Sequence, residues 1–211
     1  MKEIFGLVGA GGYGRETINY ISSHKNKLDI YFIDNDLSGT IVNEIEVINE
    51  ENFNSIKSEV RYFNISIASP QKRKEIANRF ISKGCVPLSL RSPTFTNHGF
   101  NKIGNGSIFS DFTIISPNAI IGDFFHANRY SQIAHDVIIG DYVTFAPLVQ
   151  CNGNVIIEDN VYVGTGALIK NGSTKDPLII GKNSVIGMGS VVLKDVSSNS
   201  TVVGNPARVI K

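Results

Sequence analysis

The chain has 211 residues, 42% of them hydrophobic and 18% charged, enough apolar content for a real core and unlike an intrinsically disordered chain. Twenty basic against nineteen acidic side chains give a formal charge of +1, and neither half departs from balance: 12 basic and 11 acidic residues in 1–98, 8 and 8 in 99–211. That distribution excludes the basic face of a dedicated nucleic-acid binder, and no apolar run approaches the roughly 18 residues of a membrane span.

The N-terminus meets Glu3 and then glycines, unlike a signal peptide. Ile4–Val8 reads as a strand that runs into Gly9-Ala10-Gly11-Gly12-Tyr13-Gly14-Arg15-Glu16, followed by a helical pattern with Ile18 and Ile21 on one face. A second strand, Ile30–Ile33, ends in Asp34-Asn35-Asp36, and a third covers 62–68. Ser69-Pro70 then opens a charged helix over Gln71–Lys83. Strands alternating with helices predict a parallel, doubly wound, Rossmann-like sheet. Gly9, Gly11 and Gly14 satisfy G-x-G-x-x-G where such a sheet binds phosphate, and Asp34 follows Gly14 by 20 residues, placed to reach a ribose or base edge. A nicotinamide dehydrogenase is the rival, but about 90 residues make only half of a dinucleotide fold. A nucleoside diphosphate fits better. Cys85 and Cys151 lie in different halves and read as buried thiols, not a disulfide.

From Ile103 the chain repeats every six residues. Positions 103, 109 and onward to 169 are Ile, Phe, Ile, Ile, Ala, Ile, Ile, Phe, Cys, Ile, Val and Ile, all apolar. The residue four further on is small or β-branched every time except at Phe125, and Gly104, Gly122 and Gly140 recur at eighteen. The period slips by one between Ile169 and Ile180, across the polar stretch 171–177. A strict six fits a triangular coil of short strands, one apolar residue per side pointing inward, giving about five coils over 103–197 and a shaft of roughly 25 Å.

This repeat, of the form [LIV]-G-x-x-[STAV]-x, resembles the left-handed β-helix acyltransferases. With the glycine-fingerprint unit, the chain is similar to the bacterial sugar acetyltransferases of the PglD/NeuD type. The resemblance rests on Gly9–Glu16, Ile33-Asp34, Ala134-His135-Asp136, Cys151–Val155 and Val203-Gly204-Asn205-Pro206-Ala207-Arg208. It implies an α/β Rossmann-like half-domain over 1–90 that binds a nucleotide sugar, a linker over 91–102, and an all-β left-handed parallel β-helix with a C-terminal tail over 103–211. It also implies a cytoplasmic homotrimer with active sites between subunits and acetyl-CoA as co-substrate, with no metal, nucleic acid or membrane span. The implied reaction moves acetyl to the amine of a nucleotide-activated sugar, a 4-amino-4,6-dideoxy sugar, in bacterial surface-polysaccharide or glycan synthesis. O-acetylation of sialic acid or another sugar hydroxyl is the alternative, and a non-catalytic nucleotide-sugar scaffold is a third reading.

His135 and Asp136 lie between the inward positions 133 and 137, so the imidazole projects outward near a corner. In relatives this histidine is the general base and the acid after it orients the ring. Asn128, seven residues earlier, is implied to hold the histidine or the amine. Gly153 is implied to offer a backbone N–H to the acetyl carbonyl. Thr144 stands where some relatives have a second histidine near the thioester. Gly164, Gly166, Gly187 and Gly189 are expected to keep a coenzyme groove open, with Arg208 as phosphate partner ahead of Lys170, Lys182 and Lys194. Gly11, Gly12, Tyr13, Gly14 and Arg15 are expected to hold the diphosphate, with the contact at Tyr13, where many relatives have histidine, either lost or replaced by its hydroxyl, while Asp34 reads the nucleoside. His126 is expected to be surface or packing.

Overall fold

The computed structural model describes residues 2–24 and 28–211. Its first half is the expected α/β unit. Strands β1 (Glu3–Val8), β2 (Leu28–Ile33), β3 (Ile41–Val42), β4 (Ile45–Ile48), β5 (Arg61–Ile65) and β6 (Val86–Pro87) form one sheet in the order β3-β4-β2-β1-β5-β6. All pairings are parallel except the β3–β4 hairpin, whose turn residues Asn43 and Glu44 both have positive φ, as a tight two-residue turn requires. Helix α1 (Gly12–Thr17) continues into a 3-10 turn at Ile18–His24. Helix α2 (Glu50–Ser55) is capped by the Asn49 side chain, which accepts from the Asn52 amide at 2.7 Å, and α3 (Pro70–Ser82) starts at its proline with Ser69 as cap. Phe5, Leu7, Phe32, Phe63 and Ile65 are fully buried. They form a core no lone hairpin could supply.

From Leu90 the chain winds as a triangular parallel β-helix. The first face stacks Leu90–Arg91, Ile108–Phe109, His126–Ala127, Thr144–Phe145, Tyr162–Val163, Val185–Ile186 and Thr201–Val203. The second runs from Thr96–Asn97 to Val191–Val192, and the third from Lys102–Ile103 to Leu178–Ile180. The shaft begins at Leu90, so residues 91–102, expected as a linker, are its first coil. Seven parallel strands on the first face make six steps, a shaft of about 29 Å and not 25 Å. Each side also buries two residues, not one: the apolar position and the residue two before it, as with Ile139 and Val137. Phe125, the large exception, is buried edge-on to Phe145 at 5.2 Å, with Ala119 and Ala127 leaving it room.

Corners explain the remainder of the repeat. A residue with left-handed φ recurs every six positions, among them Gly106, Phe112, Asn118, Phe124, Tyr130, Asp136, Tyr142, Leu148, Asn154 and Asn160. Gly104, Gly122 and Gly140 recur because a Cβ there would strike the aspartate of the next coil. Asp123, Asp141 and Asp159 each accept a backbone amide from the coil below, at 2.7–3.0 Å. The slip after Ile169 is an insertion of five residues: Ile156 and Ile157 pair with Ile179 and Ile180, 23 positions on instead of 18.

The two halves share their cores. Phe124 and Tyr142 pack with the sheet and α3, and Leu90 and Ile108 with the other side of the sheet. The first face of the shaft is therefore covered, with Ile108, His126 and Thr144 buried beneath the α/β unit. Arg73 of α3, itself fully buried, locks the joint: it donates to the carbonyls of Ile67, Ala68, Phe124, Tyr142 and Val143 and to Thr144 Oγ1, at 2.7–3.2 Å. Both cysteines are free and buried, as expected.

Candidate active site

Residues 18 apart stack at the same corner. The edge between the second and third faces therefore brings together 116–119, 134–137 and 152–155. His135 stands on this edge, partly exposed, with Nδ1 at 2.7 Å from Asp136 Oδ2. A carboxylate only accepts, so Nδ1 carries the proton and Nε2 presents its lone pair outward. The His135 hydrogen bond, with a second from Asn118, holds the Asp136 carboxyl below the usual carboxylate range. The ring lies flat against Gly153 one coil above; a Cβ there would sit 2.7 Å from Cε1 and 2.8 Å from Nε2. Glycine at 153 is thus what lets the imidazole occupy this position. The edge presents an oriented base beside exposed backbone, the kind of group that takes a proton from an attacking nucleophile.

The second candidate region is the glycine loop. Gly9 has φ +99, and a Cβ on Gly14 would lie 2.1 Å from the Gly9 carbonyl oxygen, so these two glycines shape the turn and the helix–strand contact. Gly11 and Gly12 are exposed, with open space where a Cβ would stand. Beside them is a cleft of about 470 Å³ whose walls include Gly9, Asp34, Asp36, Ile67, Lys72 and Arg79. Asp34 is already bonded: Oδ2 accepts from the Ala10 amide at 3.2 Å and Oδ1 from the Asp36 amide at 3.1 Å.

The PglD N-terminal domain family matches residues 5–80. The chain is 44% identical to the GDP-perosamine N-acetyltransferase of Escherichia coli O157:H7, over 99% of this chain and 96% of that one. The chain belongs to the PglD-type sugar acetyltransferases. WeeI from Acinetobacter baumannii AYE has the same structure with a TM-score of 0.96 and 42% identity, over 99% of this chain and all of that one. The acetyltransferase domain of PglB from Neisseria gonorrhoeae FA1090, solved with acetyl coenzyme A, shares the fold at a TM-score of 0.88 and 23% identity, with both chains fully covered. This PglD-type chain is a sugar N-acetyltransferase, and its shaft is the left-handed β-helix of the family.

Other sequence expectations fare unevenly in this acetyltransferase. Thr144 is not near His135: it is buried on the first face, bonded to Ala68 O and Arg73. Asn128 follows His126–Ala127 and so turns the corner between the first and second faces, one side of the triangle away from His135 in the same chain. Gly164, Gly166, Gly187 and Gly189 share that corner. Only Gly166 and Gly189 open outward; a Cβ on Gly164 would meet the Met188 amide at 2.6 Å, and one on Gly187 the Val203 side chain at 2.6 Å, so these two are packing glycines. Tyr13 does not offer its hydroxyl to a phosphate: the oxygen is buried, and the ring tilts against His126 at 5.5 Å. His126 is packing, not surface; burial first, and the Arg73 charge second, push its pKa well below the usual value. Arg15 is exposed at the end of α1. Arg208 is exposed and lines a cleft of about 440 Å³ with Leu193 and Lys194, while Lys182 pairs with Asp159 at 3.2 Å. Sequence reasoning missed Asn118 and Arg73. Subtracting one coil of 18 from Asp136 would have found the first.

Among the described residues no cluster of histidine, cysteine and acidic side chains could hold a metal, and no helix is long and apolar enough to cross a membrane.

Proposed function

We propose that this chain acetylates the amine of a GDP-linked 4-amino-4,6-dideoxy sugar of the perosamine kind, with His135 as general base. The observation that carries this reading is the 2.7 Å His135–Asp136 pair seated on Gly153. Asp136 fixes the proton on Nδ1, so Nε2 takes the amine proton as nitrogen attacks the acetyl carbonyl. The tetrahedral intermediate collapses with cleavage of the C–S bond, and the proton passes to the departing thiolate. The products are the acetamido sugar and free coenzyme A, and no covalent acyl-enzyme is needed. The guanine nucleotide is taken from the relative that is 44% identical. Gly11 and Gly12 hold the diphosphate with Arg15, and Asp34 shapes the nucleoside end of the cleft. The α/β unit over 1–90 is the nucleotide-sugar domain and the shaft the acetyl-transfer domain.

The site works between subunits of a homotrimer. The α/β unit covers the first face, whereas His135 stands on the opposite edge, so a sugar held by one chain has that chain's own shaft between it and its histidine. Ile120, Ile138 and Ile179 form an exposed row on the third face, continued by Ile156, which suits burial against a second copy. Acetyl-CoA lies where the His135 edge meets a neighbouring shaft, passing Gly153, Lys170 and Lys194 on one wall. The neighbour supplies the other wall with Gly166, Gly189 and Asn128, and Arg208 meets the nucleotide end. The setting is the cytoplasm, in surface-polysaccharide synthesis, where both substrates are made.

The test is release of free thiol from acetyl-CoA across GDP-, UDP- and dTDP-linked amino sugars and free sialic acid. Turnover of the GDP-linked amine is the expected result; turnover of hydroxyl acceptors alone would refute N-acetylation. His135→Ala lowers kcat by at least about a hundredfold, as loss of a general base does; an unchanged rate would remove His135 from the mechanism and leave the fold intact.

A further inference from the structure

We infer that Asn118 is a positioning residue of the acetyl-transfer site, its side-chain amide holding Asp136 so that Asp136 can hold His135. This inference rests on the reading of His135 as the general base. Asn118 occupies the coil directly below Asp136, on the same edge, and its Nδ2 donates to Asp136 Oδ1 at 3.2 Å. The other oxygen, Oδ2, is the one that meets His135 Nδ1. The two bonds use different oxygens, so together they fix the rotation of the carboxylate, which one bond alone would leave free.

The need for such a brace follows from the exposure of the pair. Both side chains are about half exposed, and Asp136 sits at a turn with φ +57, where little packing restrains it. A solvent-exposed contact of this kind, held by one bond, is weak and mobile. A base whose ring wanders loses rate even when its chemistry is intact. The amide also has a definite sense: facing a carboxylate, it presents its NH2 and not its oxygen.

The left-handed corner position is served differently on the three edges of the shaft. One edge carries Gly106, Phe124, Tyr142, Asn160, Asn183 and Asn199 there, with Phe124 and Tyr142 stacked at 5.4 Å, and another carries Phe112, Tyr130 and Leu148, with Phe112 and Tyr130 stacked at 5.0 Å. On the His135 edge the corresponding residues are Phe100, Asn118, Asp136 and Asn154. Asparagine tolerates left-handed φ better than most side chains, so backbone demand alone could place it there. The directed bond to the oxygen opposite the histidine is what backbone demand does not supply.

Two substitutions separate these roles. Asn118→Gly keeps the φ of +67 available and removes only the amide; Asn118→Asp keeps the shape but sets a second carboxylate against Asp136. The assay is steady-state thiol release over a pH series, with nitrogen-15 NMR of the His135 ring to read which nitrogen holds the proton. The parent shows mainly the Nδ1–H form. Asn118→Gly lowers kcat about tenfold with KM for both substrates within about twofold, and its ring spectrum shows a mixture of tautomers. Asn118→Asp shifts the acid limb of the kcat profile to higher pH, because the added negative charge favours the imidazolium. Unaltered kcat, pH profile and ring spectrum in the variants overturn the inference while His135→Ala, run alongside, stays inactive. An active His135→Ala instead overturns the reading of the base. A melting temperature equal to the parent's separates lost positioning from lost folding, and the pH shift of Asn118→Asp is a second readout that packing damage would not produce.

Discussion

Gly153→Ala tests the seat of the His135 ring and, with it, the proposed role of that ring as base. A Cβ at 153 would lie 2.7 Å from His135 Cε1, 2.8 Å from Nε2 and 3.1 Å from Nδ1, where ordinary contact begins at 3.4 Å. The ring must therefore retreat by 3.4 − 2.7, about 0.7 Å, or tilt away from the methyl group. Gly153 is not among the residues with positive φ, so alanine adds no backbone strain. The His135 side chain is 59% exposed and swings outward without disturbing the core. The cost thus falls on geometry: the 2.7 Å bond to Asp136 stretches and Nε2 leaves its line of attack. A misplacement of about 1 Å costs about a hundredfold in rate, so about 0.7 Å predicts roughly a thirtyfold loss in kcat. The fold changes little, with a melting temperature within about 2 °C of the parent. Thiol release at saturating substrates reads the rate. In a His135→Ala background the same substitution costs nothing further, since the ring it displaces is gone. A kcat within twofold of the parent, or full additivity with His135→Ala, refutes this account of Gly153.

Asp136→Asn should lower kcat about a hundredfold, since an amide at this position can donate to Nδ1 and put the proton on the wrong nitrogen. The direction of the pH effect follows from charge. Asp136, held below the usual carboxylate range chiefly by His135, is ionised throughout the assay range and favours the imidazolium; removing it moves the acid limb of the kcat profile to lower pH, measured over a pH series. A shift to higher pH contradicts the pairing. Arg73→Met strips donors from carbonyls of both halves and should reduce stability by at least about 3 kcal/mol in urea unfolding. A loss under about 1 kcal/mol would show that the joint does not depend on this arginine.

The shaft was legible because a column of stacked coils exposes each side chain to the same surroundings every six residues. Its beginning was not. The first coil puts Arg91 and Asn97 at positions that later coils fill with apolar residues, and both are exposed because that end of the shaft meets solvent. His135 could be read as outward-facing from its place between Ile133 and Val137. Thr144 and Asn128 could not be placed by resemblance alone, since nine and seven residues are not multiples of a coil and therefore fall on other sides of the triangle. The glycine loop was visible as a tight turn between the first strand and helix, yet only coordinates show that Gly14 packs on Gly9 while Gly11 faces open space. The Tyr13 hydroxyl and Arg73 turn inward toward the shaft, a contact of high sequence separation that no local pattern announces.

Subunit complementation tests most directly whether one chain's base serves a neighbour's sugar. Gly11→Asp places a carboxylate in the open space of the glycine loop and spares His135; His135→Ala spares the loop. Each variant alone should be inactive. Unfolded together in equal amounts and reassembled, the two chains form a histidine-intact edge beside a loop-intact neighbour at about a quarter of the sites, and about a quarter of parental activity should return. Reassembled mixtures that stay as inactive as their parents would contradict a site shared between subunits.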